Sequence, residues 1–279
     1  MAAFDADRGG ATGAPPAQHR MRRHRQLIRA SIALALAGAA FGARGAEVLV
    51  AVAANFVTPM RSIAEAFSAA TGHTLKVSAG ATGKFYSQIL AGAPFEVLLA
   101  ADDETPRRLV AKGHAVAGTR FTYAIGRLVL WSAQPAFVDD QGAVLASGAF
   151  GKLALANPKL APYGAAALQV LRARGLAEAL APRLVTAESV AQAYQFVATG
   201  NAELGFVALS QVQVPGRQMT GSMWRVPQSL YDPIRQDAVL LAAGKDNPAA
   251  SALLDYLKGA PARQVITASG YGMAREASR

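Results

Sequence analysis

The chain has 279 residues, 52% of them hydrophobic and only 16% charged, and contains no cysteine. That is the composition of a globular protein of one large or two ordinary domains, and it excludes a disulfide scaffold, thiol catalysis and cysteine-ligated metals. The formal net charge is +10, but no Lys/Arg stripe interleaved with aromatics accompanies it, so nucleic-acid binding is not expected.

The excess charge sits at the N-terminus. Met21 is followed by Arg22, Arg23, Arg25 and Arg29, then an apolar run from Ile32 to Phe41, then Gly42, Ala43, Gly45 and Ala46. A basic region, a short apolar region and a small-residue cleavage site make a secretory signal peptide, so residues 1–45 read as leader and signal. The apolar run is well short of the roughly 20 residues that span a bilayer. The leader holds seven basic and two acidic side chains, which leaves 21 basic and 16 acidic residues in the exported part. Its net charge of about +5 is a modest field that draws in anions.

From Val48 the chain alternates strands and helices. Val48 to Ala54 is a nearly continuous apolar run, as expected of a parallel strand buried on both faces. Thr58-Pro59 then opens a helix with Met60, Ile63 and Phe67 on one face and Gly72 at its end. Thr74 to Ser78 reads as a short strand, Gly80 to Gly83 as a small-residue turn and Phe85 to Leu90 as the start of a helix. Phe95 to Ala100 reads as a further strand, and Thr105-Pro106 caps the next helix. Tyr123 to Trp131 reads as one long strand. Leu153 to Ala156 with a helix from about Tyr163 to Arg174 makes another strand–helix unit, and Ser189 caps a helix running to Gly200. Strands at 203–209 and 238–243 and a helix over 248–258 complete the pattern. The alternation predicts an α/β fold with mostly parallel sheets. The absence of a long linker predicts two lobes joined by crossing strands. One lobe is expected from 46–124 with 228–279, the other from 125–227.

Catalytic signatures are missing. The exported part has two histidines, His73 and His114, each beside a glycine where a helix ends, a position that favours a solvated side chain near the negative end of the helix dipole. The acidic run Asp102-Asp103-Glu104 follows a strand and reads as a helix first turn complementing the dipole. No HExxH, GxSxG, Walker A or GxGxxG pattern occurs. No catalytic residue, cationic metal site or cofactor is therefore expected.

Small and polar residues do stand where strands turn into helices: Ala54-Asn55, Gly80-Ala81-Thr82-Gly83, Pro162-Tyr163-Gly164 and Glu188-Ser189-Val190. Ligands of open α/β sheets bind outside the carboxyl ends of strands, where helix N-termini offer unpaired N–H groups to an anion. Taken singly, Asn55, Thr82 and Ser189 are ordinary helix caps, so periodicity by itself gives a ligand-binding α/β protein.

Several stretches carry a resemblance. Val50-Ala51-Val52-Ala53-Ala54-Asn55-Phe56, Gly80-Ala81-Thr82-Gly83 with Gln88-Ile89, and Gly92 to Val97 are similar to periplasmic molybdate-binding proteins of the ModA type. So are Ala156-Asn157-Pro158 through Pro162-Tyr163-Gly164, Gly205-Phe206-Val207, and Asp255 to Gly259. The likeness spans nearly all of residues 47–273. It implies a type II periplasmic-binding-protein fold whose two lobes close over an oxyanion held by hydroxyls, amides and backbone N–H groups. On that basis the ligand residues are Asn55, Thr82, the backbone N–H of Tyr163, that of Val190 and, more weakly, Ala54. Loss of the Tyr163 hydroxyl alone should then matter little. Ala208 stands where many relatives have a tyrosine, which implies one hydrogen bond fewer or a substitute donor. The resemblance further implies a periplasmic monomer that passes molybdate or tungstate to the membrane permease of an ABC importer. Sulfate or another small anion is the alternative ligand, and a secreted hydrolase the more distant alternative.

Overall fold

The structure is a computed structural model, and residues 45–274 are described; the leader and signal peptide expected over 1–45 lie, save Gly45, outside the described residues. Ten strands form two five-stranded sheets. In chain order they are β1 (Glu47–Ala53), β2 (Thr74–Gly80), β3 (Val97–Leu99), β4 (Phe121–Gly126), β5 (Leu128–Ser132), β6 (Leu153–Ala156), β7 (Leu184–Ala187), β8 (Leu204–Ala208), β9 (Ser222–Arg225) and β10 (Ile234–Leu240).

The first sheet has the order β2-β1-β3-β10-β4 and the second β7-β6-β8-β5-β9. Both repeat one plan: three parallel strands, then a reversed strand, then an edge strand running with the first three. The expected fold class, two lobes with mostly parallel sheets, is the one observed. The central strands β1 and β3, as the apolar runs dictate, are buried over Val50–Val52 and Val97–Leu99.

The stretch expected as one strand from Tyr123 to Trp131 is two. β4 ends at Gly126 in the first sheet, Arg127 is exposed, and β5 starts at Leu128 in the second. The apolar pattern runs straight across this crossing because both halves are buried, so periodicity does not mark the change of sheet. The expected boundary at 124/125 falls inside β4. The chain returns between β9 and β10.

Ten α-helices among the described residues cover the sheets. They are α1 (Val57–Thr71), α2 (Thr82–Leu90), α3 (Glu104–Ala111), α4 (Val144–Ser147), α5 (Pro162–Ala173), α6 (Ala177–Leu180), α7 (Val190–Ala198), α8 (Leu209–Val212), α9 (Pro248–Lys258) and α10 (Ala260–Ala268). α1 buries Pro59, Met60, Ile63 and Phe67 and stops at Gly72, which takes the left-handed conformation (φ 73°) that glycine adopts without penalty. Together with α9 and α10 it encloses one core of the first lobe, with Phe56, Tyr123 and Leu253 among its members. α5 seals the core of the second lobe through Ala167, Val170 and Leu171. The helices α4, α6, α8 and α10 and the strand β9 have no counterpart in the sequence reading.

Candidate functional site

The carboxyl ends of the parallel strands of both sheets point at one another, so the helices that follow them begin at a common place. β1 leads into Ala54 and Asn55, β2 into Thr82 at the start of α2, β6 through a loop into Tyr163 in the first turn of α5, and β7 into Val190 at the start of α7. All five residues expected from the sequence, Ala54, Asn55, Thr82, Tyr163 and Val190, line one cavity between the lobes. Thr82 is 1% exposed, Tyr163 1%, Asn55 2% and Val190 3%, so whatever sits there is shut away from bulk water. The cavity is small, with about 10 Å³ open to the centre of a water-sized sphere. One water needs roughly 10–15 Å³, whereas an organic ligand occupies a site of roughly 300–1,000 Å³.

The walls donate. The first N–H groups of a helix have no acceptor one turn earlier, and those of Thr82, Tyr163 and Val190 have no hydrogen-bond partner among the described residues. The Thr82 hydroxyl accepts from the Ala101 N–H at 2.9 Å, which leaves its own proton free to donate. Ser189, by contrast, acts as a cap: its Oγ accepts from the Gln192 N–H at 3.3 Å. No Lys or Arg lines the cavity. The positive potential there comes from the amino ends of three helices of nine, twelve and nine residues.

Two contacts close the cleft beside the cavity. The Gly83 N–H donates to the Leu160 carbonyl at 2.9 Å, and Lys84 Nζ pairs with Glu188 Oε1 at 2.6 Å. Each joins α2 of the first lobe to a loop of the second.

Behind the cavity lies a buried polar cluster that sequence reasoning missed. Asn55 Nδ2 donates to Gln236 Oε1 and to the Tyr271 hydroxyl, both at 2.9 Å. Gln236 Oε1 also accepts from the Tyr123 hydroxyl at 3.0 Å, and its Nε2 donates to the Tyr163 hydroxyl at 3.1 Å. From the second lobe the Ser210 hydroxyl donates to the Asn55 carbonyl at 2.9 Å. Burial pushes the Tyr123, Tyr163 and Tyr271 phenols well up, so all three stay protonated.

The Tyr163 side chain has a place of its own beside the backbone N–H: its hydroxyl accepts from Gln236 Nε2 of the opposite lobe at 3.1 Å. The Gly126 position permits this approach, because a Cβ there would lie 2.4 Å from the Tyr163 hydroxyl. Ala208 is fully buried, and the nearby hydroxyl of Ser210 is engaged with Asn55 and Tyr271 rather than lining the cavity. Only a weak signal for Gln236 existed: it stands in the polar run Arg235-Gln236-Asp237 at the start of β10, of which the structure leaves Arg235 exposed and buries Gln236 and Asp237 fully, so that both require hydrogen-bonding partners.

Of the residues weighed for catalysis, His73 and Asp102 are engaged elsewhere. His73 Nδ1 accepts from the Ala46 N–H at 3.1 Å. Asp102 accepts from the Thr105 N–H at 2.7 Å and from its hydroxyl at 3.2 Å; burial pushes its carboxyl above the ordinary aspartate range, against the pull of those bonds. Among the described residues no group of three or more His, Cys, Asp and Glu side chains is placed to hold a metal ion.

Comparison with known proteins agrees with this architecture. Residues 48–272 match the family model of bacterial extracellular solute-binding proteins. The molybdate-binding protein ModA of Azotobacter vinelandii is 62% identical over 247 residues, covering 88% of this chain and 98% of that protein. ModA of Rhodobacter capsulatus is 52% identical over 253 residues, 90% of this chain and 99% of that protein. A solved structure, the Azotobacter vinelandii periplasmic molybdate-binding protein, superposes with a TM-score of 0.80 at 42% identity, covering 82% of this chain and all of that one. This chain belongs to the bacterial extracellular solute-binding protein family, in the branch that holds the ModA molybdate-binding proteins.

Proposed function

We propose that this protein captures molybdate, or its near-twin tungstate, in the cavity between its lobes and delivers it to the permease of an ABC importer. The observation that carries the reading is the convergence of three helix N-termini and the Thr82 hydroxyl on a buried cavity without a cationic side chain. Such walls offer donors and demand acceptors. Molybdate at neutral pH is a tetrahedral dianion that only accepts hydrogen bonds, so it satisfies every free donor without leaving a proton of its own unpaired.

The magnitudes are adequate. A hydrogen bond to a charged group contributes roughly 1.5–3 kcal/mol net. Four such bonds, from the three free N–H groups and the Thr82 hydroxyl, give roughly 6–12 kcal/mol, which matches the roughly 8–12 kcal/mol of a micromolar to nanomolar complex before desolvation and closure are offset. On this reading the protein works in the periplasm as a monomer, requires no cofactor and performs no chemistry on its ligand; the names of its relatives, extracellular binding proteins rather than enzymes, support its location and the absence of chemistry.

Titration calorimetry of the purified protein against molybdate, tungstate, sulfate and phosphate tests it. Molybdate and tungstate are expected to bind at micromolar concentration or tighter, with sulfate at least a hundredfold weaker. Tighter binding of sulfate, or no heat with molybdate, overturns the assignment.

A further inference from the structure

Outside the sealed cavity lies a second, wider recess. It has about 350 Å³ open to the centre of a water-sized sphere and shares Ala54, Asn55, Gly80 and Ser189 with the cavity wall. α1 of the first lobe contributes Thr58 and Arg61 to it, and α7 of the second lobe contributes Tyr194. Arg61 stands four residues after Val57, the first residue of α1, and so turns away from the buried Met60, Ile63 and Phe67. Long helical side chains lean back toward the helix N-terminus, which here adjoins Asn55. No carboxylate lines the recess, and α1 has no acidic residue in its first turn. Arg61 forms no ion pair among the described residues; Glu65, four positions on, stands in the less favourable order for a helical pair. A recess on the α2 side of the cavity also has a cation, Lys84, but Glu188 lines that recess too and neutralises it at 2.6 Å. Of the cations lining these two recesses, Arg61 alone is left uncompensated.

We propose that this recess is an outer docking site for the divalent oxyanion, and that Arg61 steers the anion into it, raising the rate of capture without joining the donors of the inner cavity. The two places divide the work by range. Neutral dipoles act only at contact, whereas a full charge is felt over a Debye length, about 10 Å at 0.1 M salt and about 30 Å at 0.01 M. A guanidinium presents several donors to an oxyanion and keeps its charge at every working pH, and the hydroxyls of Thr58 and Tyr194 add donors beside it. Buried in the inner cavity, the same charge would carry a large desolvation cost; at the mouth it stays hydrated and lets the anion pass on. In water, single and double charges about 10 Å apart attract enough at about 0.01 M salt to speed encounter about threefold. Because Arg61 is exposed, high salt removes the gain. Because the attraction acts on charge and not on size, selectivity between molybdate and sulfate does not depend on it.

The inference rests on the oxyanion reading of the inner cavity, and the experiment separates the two. Stopped-flow mixing with molybdate gives the rates of capture and release, and calorimetry gives the affinity independently. Trp131 is the reporter, since it stacks on Tyr194 of the recess wall with ring centroids 5.0 Å apart. At about 0.01 M salt Arg61→Gln is expected to capture molybdate about threefold more slowly and Arg61→Glu about eightfold, with release changed less than about twofold and the difference in capture gone at about 0.5 M salt. Lys112→Gln makes the same change in net charge but lies exposed at the far end of α3, and is expected to capture molybdate as the wild type does. Equal slowing in Lys112→Gln and Arg61→Gln assigns the effect to net charge and overturns the docking site. Unchanged capture in Arg61→Gln, or slowing that persists at high salt, also overturns it. Any of these results with normal wild-type binding sinks this inference alone; a wild type that gives no heat with molybdate overturns the functional reading and the inference with it.

Discussion

At the level of single residues, the site separates groups that face the cavity from groups that hold them. Thr82 belongs to the first kind. Its hydroxyl accepts from Ala101 and keeps one proton for the cavity, so Thr82→Val keeps the shape, removes the donor and leaves the Ala101 N–H without its acceptor. Molybdate affinity measured by calorimetry should fall about ten- to a hundredfold, the equivalent of about 1.5–3 kcal/mol for one bond to a charged group; unchanged affinity removes Thr82 from the ligand set. Tyr163 contributes in both ways. The Tyr163→Phe variant leaves Gln236 Nε2 buried without its acceptor, and stability measured by denaturant unfolding should drop by about 1–3 kcal/mol. The strand-to-helix junctions that carry Asn55, Thr82, Tyr163 and Val190 were legible in the sequence from apolar runs and caps, while their choice as ligand residues came from the family resemblance. Their supporting partners were not legible. Gln236 lies 181 residues from Asn55 and Tyr271 lies 216 away, and no local pattern announces a contact of that range.

At the level of secondary structure, the ligand geometry depends on how closely a helix can start beneath a strand. α5 does so at Gly164: a Cβ there would come within 2.0 Å of the Ala156 carbonyl oxygen. Gly164→Ala forces the first turn of α5 to withdraw, and the Tyr163 N–H withdraws with it. Overpacking of this kind costs about 1–3 kcal/mol, which lowers Tm by roughly 2–4 °C per kcal/mol in a protein of this size. Molybdate affinity should fall at least tenfold, and a variant with lowered Tm but normal affinity would show that the α5 N-terminus is not a ligand. The strands and most helices were readable from apolar runs and caps, while the break at Arg127 was not. A buried strand looks the same whichever sheet it pairs with; only β-partners distant in sequence decide that Phe121–Gly126 joins β10 and Leu128–Ser132 joins β8.

At the level of the whole molecule, the same strand order in both lobes aims both sets of helix N-termini at one cavity, while the buried phenols of Tyr163 and Tyr271 tie the lobes together behind it and that of Tyr123 braces Gln236 within the first lobe. The pair Lys84–Glu188 at the mouth is half exposed on both sides and contributes at most about 1 kcal/mol; the phenols dominate the response to pH. Burial raises their pKa values above that of a free tyrosine, so the unfolded chain loses these protons first. Where the unfolded state binds fewer protons, stability falls as pH rises. The contribution is complete below the unfolded tyrosine value of about 10 and is lost above it, at up to about 1.4 kcal/mol per pH unit for each phenol. Denaturant midpoints between pH 8 and 11 should therefore show no pH dependence from these phenols up to about 10 and a decline beyond it, with a shallower decline in Tyr123→Phe. Molybdate affinity should be level from pH 6 to 9, since the cavity holds hydroxyl, amide and backbone donors that do not titrate there. An affinity that falls through pH 7–8 would place a titrating group in contact with the anion and contradict a site built from neutral dipoles.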